Sequence, residues 1–173
     1  AGYMYSGGVA GETLARVKIP ADVIILGPNH HGQGAAIAVM AAGAWQMPMG
    51  DVPINEELAA KLLSLSGAAE PDEVAHRFEH SLEVQLPFLQ RVLGEFSLVP
   101  LAVGDCRPAA VAEVLDRLWG GPETIIVVSS DLSHFLPYDT ARSIDHDSVH
   151  TLLDLQILPS HRQACGATPV NGL

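Results

Sequence analysis

The chain has 173 residues, 48% hydrophobic and 17% charged, a balance that excludes a disordered chain and suffices for one hydrophobic core without disulfide staples. Nine Lys and Arg against twenty Asp and Glu give a formal net charge of -11, and the basic residues are scattered singly, so neither nucleic acid nor an anionic membrane surface is an expected partner. No apolar run approaches the ~20 residues of a bilayer span, and two cysteines, Cys106 and Cys165, without disulfide density point to a reducing compartment, by default the cytoplasm.

The chain opens at Ala1 without an initiator Met, and residues 166–173 read as a turn leading into further structure. One domain over residues 1–173, cut at both ends, is therefore expected. Residues 22–27 form a short apolar run ended by Gly-Pro, the pattern of a strand buried on both faces. Residues 98–104 and 124–130 repeat it, although Pro100 argues for an edge or irregular position in the former. Residues 35–48, rich in Ala, Gly and Met, fit either a strand pair or a loop. Helical periodicity marks residues 56–65, 82–93, 109–119 and 139–155, the last carrying His146 and His150. Alternating strands and helices predict an α/β fold with a mostly parallel central sheet flanked by helices, and ligands at the carboxyl ends of its strands.

Polar residues gather at those ends. After the first strand comes Gly27-Pro28-Asn29-His30-His31-Gly32, two adjacent imidazoles suited either to a ligand or to loop capping and solvation. After the third comes Ser129-Ser130-Asp131-Leu132-Ser133-His134, in which Asp131 and His134 suit an acid–base pair, or Asp131 and Ser133 a helix cap. Glu79-His80-Ser81-Leu82-Glu83 either begins a helix or supplies hydrogen bonds behind a site. A lone Cys106 or Cys165 is by itself no more than a small apolar side chain. No calcium loop, phosphate-cradling loop, nucleophile elbow or His-Glu-x-x-His pair occurs, so histidine clustering at strand exits leaves a transition-metal or acid–base site.

Taken in order, Ala1-Gly2-Tyr3-Met4-Tyr5-Ser6-Gly7, Gly27-Pro28-Asn29-His30-His31, Glu79-His80-Ser81-Leu82-Glu83-Val84-Gln85-Leu86-Pro87-Phe88-Leu89, Ser129-Ser130-Asp131-Leu132-Ser133-His134 and Cys165-Gly166-Ala167-Thr168-Pro169 resemble the motifs of the Memo family, whose prokaryotic members include AmmeMemoRadiSam system protein B. The resemblance implies a fold like that of the class III extradiol dioxygenases, a phosphorylase/hydrolase-like sandwich with a buried metal-type site. It implies His31 and Cys165 as metal ligands, with a third histidine that would immediately precede Ala1. His134, with Asp131, takes the catalytic acid–base role, and His30, His80 and Glu79 stand behind the metal or contact substrate. Iron is the implied cofactor; a thiolate in place of the dioxygenase carboxylate softens the site toward copper or zinc. Asn29 stands where the family usually has Ser. Three functions follow as expectations: a metal-dependent redox enzyme, a non-enzymatic protein binding a peptide or metal ion in the same cleft, and metal-assisted hydrolysis. The expected partners are a small molecule or peptide, with radical-SAM and AMMECR-type proteins as associates in a modification pathway.

Overall fold

In the computed structural model, which describes all residues except Ala1, Ile19 and Ala21, the elements in chain order are α1 (Tyr3–Arg16), β1 (Asp22–Pro28), β2 (Ile37–Val39), β3 (Ala44–Trp45), β4 (Val52–Pro53), α2 (Glu56–Leu65), β5 (Glu70–Pro71), α3 (Leu86–Leu93), β6 (Ser97–Val103), α4 (Pro108–Leu118), β7 (Thr124–Val128), α5 (Tyr138–Leu153) and α6 (Ala167–Gly172). Ala1, first residue of the opening block named above, lies outside the described residues. Short 3-10 turns occupy Val74–His76 and Glu83–Gln85.

The aliphatic run Val23-Ile24-Ile25-Leu26 makes β1 the strand that both layers pack on. It pairs in parallel with β6 on one side and β7 on the other, in the sheet order β5-β2-β6-β1-β7. Because side chains alternate along a strand, Ile24 and Leu26 enter one core with Leu62 of α2 and Val111, Val114 and Leu115 of α4. Val23 and Ile25 enter the other with Leu14 of α1 and Leu86 and Leu89 of α3. The pairings are mostly parallel; among the described residues the one antiparallel pairing within this sheet is β2 with β6, so that β2 and β5 run against the other three strands, and helices cover both faces. Among the described residues no helix is long and apolar enough to cross a membrane.

Local chemistry explains the helix boundaries. Asn55 caps α2 by accepting the Leu58 N–H at 3.0 Å, while Glu56 and Glu57 in the first turn complement the helix dipole. The Asn55 amide also donates to Asp22 Oδ1 at 3.1 Å and Ser97 Oγ at 3.2 Å, tying α2 to the starts of β1 and β6. Residues 82–93 begin as the 3-10 turn Glu83–Gln85 and are α-helical from Leu86, where Pro87 enters the first turn, which needs no N–H donor. Residues 35–48 contain the strands β2 and β3. Residues 3–16 form a helix that hydrophobic periodicity did not bring out, and residues 167–172 a short helix packed on α4 where an open turn is expected.

Two strand positions differ from expectation. β6, although it contains Pro100, is interior, flanked by β2 and β1. The reason is directional. Leu98 O faces Asn55 N and Gly104 N faces Ala36 O, so Pro100 turns its missing donor to the β2 flank, and β2 stops at the Val39–Leu101 pair. No bond to β1 is lost. β7, expected among the central strands, ends the described sheet and is half-buried along its length.

Parallel pairing puts the exits of β1, β6 and β7 on one edge, and the antiparallel β2 begins there too. Asn29 N–H donates to Val103 O and Gly104 N–H to Ala36 O at that edge, both at 2.8 Å. Gly27 lets residues 81–82 close over β1: a Cβ there would lie 2.6 Å from Ser81 Oγ and 2.8 Å from Leu82 Cδ2.

Candidate metal centre

His30 sits in the tight turn that follows β1, and Glu79 anchors it. The His30 N–H donates to Glu79 Oε2 at 2.6 Å, and the ring Nδ1 meets Oε1 at 2.9 Å. A third donor, the Ser81 N–H, reaches Oε1 at 2.8 Å, so this carboxylate, only 1% exposed, is fully engaged. His80 stacks on His30 with ring centroids 5.2 Å apart, its Nδ1 3.6 Å from Glu79 Oε1. His30, Glu79 and His80 each offer one ligand atom, all within 4.8 Å of one another.

Cys165 arrives from the far end of the chain on a backbone clamp. Its N–H donates to Asp131 O at 3.2 Å, the Asp131 N–H donates to Sγ at 3.3 Å, and Ser130 Oγ lies 3.7 Å from Sγ. Ser130 Oγ also accepts the Gly166 N–H at 2.9 Å, where a Cβ on Gly166 would stand 2.8 Å from the Ser130 Cβ. His30 and Cys165 line the same cavity, and each shifts the protonation of the other.

His30 is the electrostatic link between Glu79 and Cys165. The Cys165 and Glu79 hydrogen bonds hold His30 up at about 9, against the pull of burial. Burial would raise Glu79, but the His30 ring and the Ser81 and His30 N–H groups outweigh it and bring the carboxyl down to about 2. Burial likewise opposes ionisation of Cys165; the His30 ring, the Asp131 N–H and Ser130 overcome it and lower the thiol to about 7. Cys106, by contrast, is pushed up by burial and by Asp105.

His30, His31, Asp105, His134, His161 and Cys165 line a cavity of about 540 Å³ at this edge. His31 turns its Nε2 to Phe78 O at 2.9 Å and stands outside the His30–Glu79–His80 group. His134 fixes its tautomer on its own loop: Nδ1–H donates to Leu132 O at 2.9 Å, leaving Nε2 as the basic nitrogen. The residue after it, Phe135, holds φ at +58°, a left-handed conformation that costs a non-glycine residue about 1–2 kcal/mol. Asp131 serves Cys165 through its backbone. The centre is an open cleft in the described residues, since His31, His80 and His134 are exposed and the His30 side chain is 32% exposed.

Sequence reasoning passed over His161, although it lies four residues before Cys165; its Nδ1 is 3.4 Å from Cys165 O and its Nε2 3.4 Å from Thr168 Oγ1. It also passed over a buried polar link behind the cleft, in which Gln85 Nε2 donates to Ser129 Oγ at 2.9 Å and that hydroxyl donates to Ser81 O at 2.6 Å. No periodic pattern marks Gln85 as polar and inward-facing.

Residues 1–162 match the family model described as Memo-like protein. A MEMO1 family protein from Aquifex aeolicus is 46% identical over 150 residues, which are 84% of this chain and 55% of the relative. One from Methanopyrus kandleri is 43% identical over 90% of this chain and 58% of its own length, and one from Methanococcoides burtonii 37% identical over 100% and 69%. The chain thus spans little more than half the length of the first two. In three dimensions it is similar to an uncharacterized protein, JW3007, from Escherichia coli K12, with a TM-score of 0.64 at 16% identity over 95% of this chain and 79% of that one, a likeness of fold alone.

Proposed function

The chain belongs to the Memo-like family, and we propose that it is a metal-dependent redox protein of the cytoplasm, with iron as its first-choice metal and copper or zinc as alternatives. The observation that carries this reading is the cavity at the strand exits, lined by His30, which the buried Glu79 carboxylate orients, and by Cys165, whose thiol is lowered to about 7. The donor chemistry fits a borderline transition metal, because imidazole and thiolate together select iron, copper or zinc over magnesium or calcium.

Cys165 and His30 would hold the metal, with His80 beside them and Glu79 orienting His30. This assigns the imidazole ligand to His30 in place of His31, whose Nε2 is spent on Phe78 O. Bound there, the metal would supply Lewis acidity and one-electron chemistry. The chain's own part is to present His134 Nε2 at the cavity as a proton acceptor. A substrate small enough for a cavity of about 540 Å³, or the end of a peptide, is the expected ligand.

The test is metal content of the full-length protein purified without oxygen, beside His30→Ala, His31→Ala and Cys165→Ala. Stoichiometric iron or copper retained in His31→Ala and lost in the other two supports the assignment. Loss in His31→Ala with retention in His30→Ala returns the ligand role to His31. No metal under any loading condition defeats the redox reading and leaves a cleft that binds a peptide or small molecule without turnover.

A further inference from the structure

We propose that His146 and His150 on α5 form a second site, a two-imidazole chelate for a first-row divalent cation, separate from the centre at the strand exits. Residues four apart on a helix stand on one face. Here the rings come together with centroids 4.5 Å apart and an Nε2–Nε2 distance of 3.2 Å. Two imidazole nitrogens, each at about 2.0–2.1 Å from one ion, stand about 2.9 Å apart at a right-angle bite and about 3.3 Å apart at a tetrahedral one. The observed distance falls between those limits, so the two nitrogens already stand at the spacing one ion requires.

The surroundings favour the charge. Asp147 Oδ1 lies 3.6 Å from His146 Nδ1, on the side away from His150, and favours the tautomer that leaves Nε2 with its lone pair. His150 lies in the last turn of α5, where the helix dipole presents its negative end. Asp139, Asp145 and Asp147 on the helix outnumber its one cation, Arg142, which lines the same groove one turn before His146 and opposes binding. Asp145 also accepts the Ser133 N–H at 2.9 Å, which keeps its carboxylate at the start of the groove. Both histidines are exposed, so the ion keeps water in its remaining positions and coordination carries no burial cost. The groove shares no lining residue with the cavity at Cys165.

In the metal-free state the same short distance is an N–H···N hydrogen bond between the rings; the cation takes the place of that proton. Imidazole pairs follow the usual order of first-row affinities, copper above nickel and zinc, and manganese weakest.

Nickel(II) is the probe, since it does not oxidise the thiols. Calorimetric titration of the full-length protein is made in a Cys165→Ser background, which silences the strand-exit thiolate. One nickel per chain is expected there, weakened at least tenfold by His146→Ala or His150→Ala and tightened severalfold by Arg142→Gln. The exposed positions allow the variants to fold, which an unchanged melting curve checks. Nickel affinity unchanged by both histidine variants, or no nickel bound once Cys165 is replaced, overturns the proposal; the latter result leaves the strand-exit centre standing.

Discussion

Cys165 should behave as an activated thiol in the metal-free protein, and Cys106 supplies an internal reference. With the thiol at about 7, about half of Cys165 is thiolate at pH 7, against about 1% for an ordinary cysteine, a ~50-fold difference in the reactive form. Intrinsic nucleophilicity falls with basicity, and over two pKa units that drop offsets about six- to tenfold of the gain. Reaction with an aromatic disulfide at pH 7 should therefore run about five- to eightfold faster than at an unperturbed thiol, and faster still than at Cys106, which burial pushes up. The rate should rise with pH and level off just above 7. In Glu79→Gln the amide no longer holds the His30 proton in place, so the inflection should move toward 9.0 and the advantage disappear. Stopped-flow absorbance with mass-spectrometric assignment of the labelled cysteine measures this. A wild-type inflection at 9 or above, or Cys106 reacting first, refutes the coupling of Cys165 to His30 and Glu79.

Glu79 also sets an acid limb of stability. Its folded value of about 2 lies below the ordinary 4.5, so its contribution is whole above 4.5 and lost as pH falls toward 2; it is on the order of 3 kcal/mol. Urea midpoints across that range should fall steeply in the wild type and flatten in Glu79→Gln. His30 acts in the opposite sense, its contribution present below 6.5 and lost as pH rises toward 9, while Cys165 loses its own as pH falls from 9.0 toward 7. Gly166→Ala sets a Cβ 2.8 Å from Ser130 Cβ and 3.0 Å from Ser129 O. The strain should cost about 1–3 kcal/mol in chemical denaturation and abolish the fast thiol phase. Leu101→Ala, emptying a fully buried position where β6 faces β2, should cost about 2–5 kcal/mol in the same assay.

The α2 boundaries were legible because Asn55, two glutamates and a four-residue apolar spacing all act within one helix. The aliphatic runs of β1 and β6 were legible for the same reason, since burial on both faces leaves no polar alternation. Pro100 misled, because a proline's cost depends on which flank its missing donor faces, and that depends on where β2 stops. α1 escaped notice since its buried side is made by glycine and a leucine, Gly7 and Leu14, rather than by an apolar stripe.

The same division runs through the centre. His30, His31, Glu79, His80, His134 and Cys165 could be named from their motifs, because a motif is a local property of the chain. Which of two adjacent imidazoles a buried carboxylate holds could not. That is decided by Glu79, 49 residues on, whose carboxylate takes the His30 N–H and Nδ1 together while Phe78 O takes His31. Composition and periodicity settle what the chain must bury and which chemical groups it carries. Pairing across the sheet edge settles which groups meet, because adjacent residues in a turn point in different directions and only distant partners fix the choice.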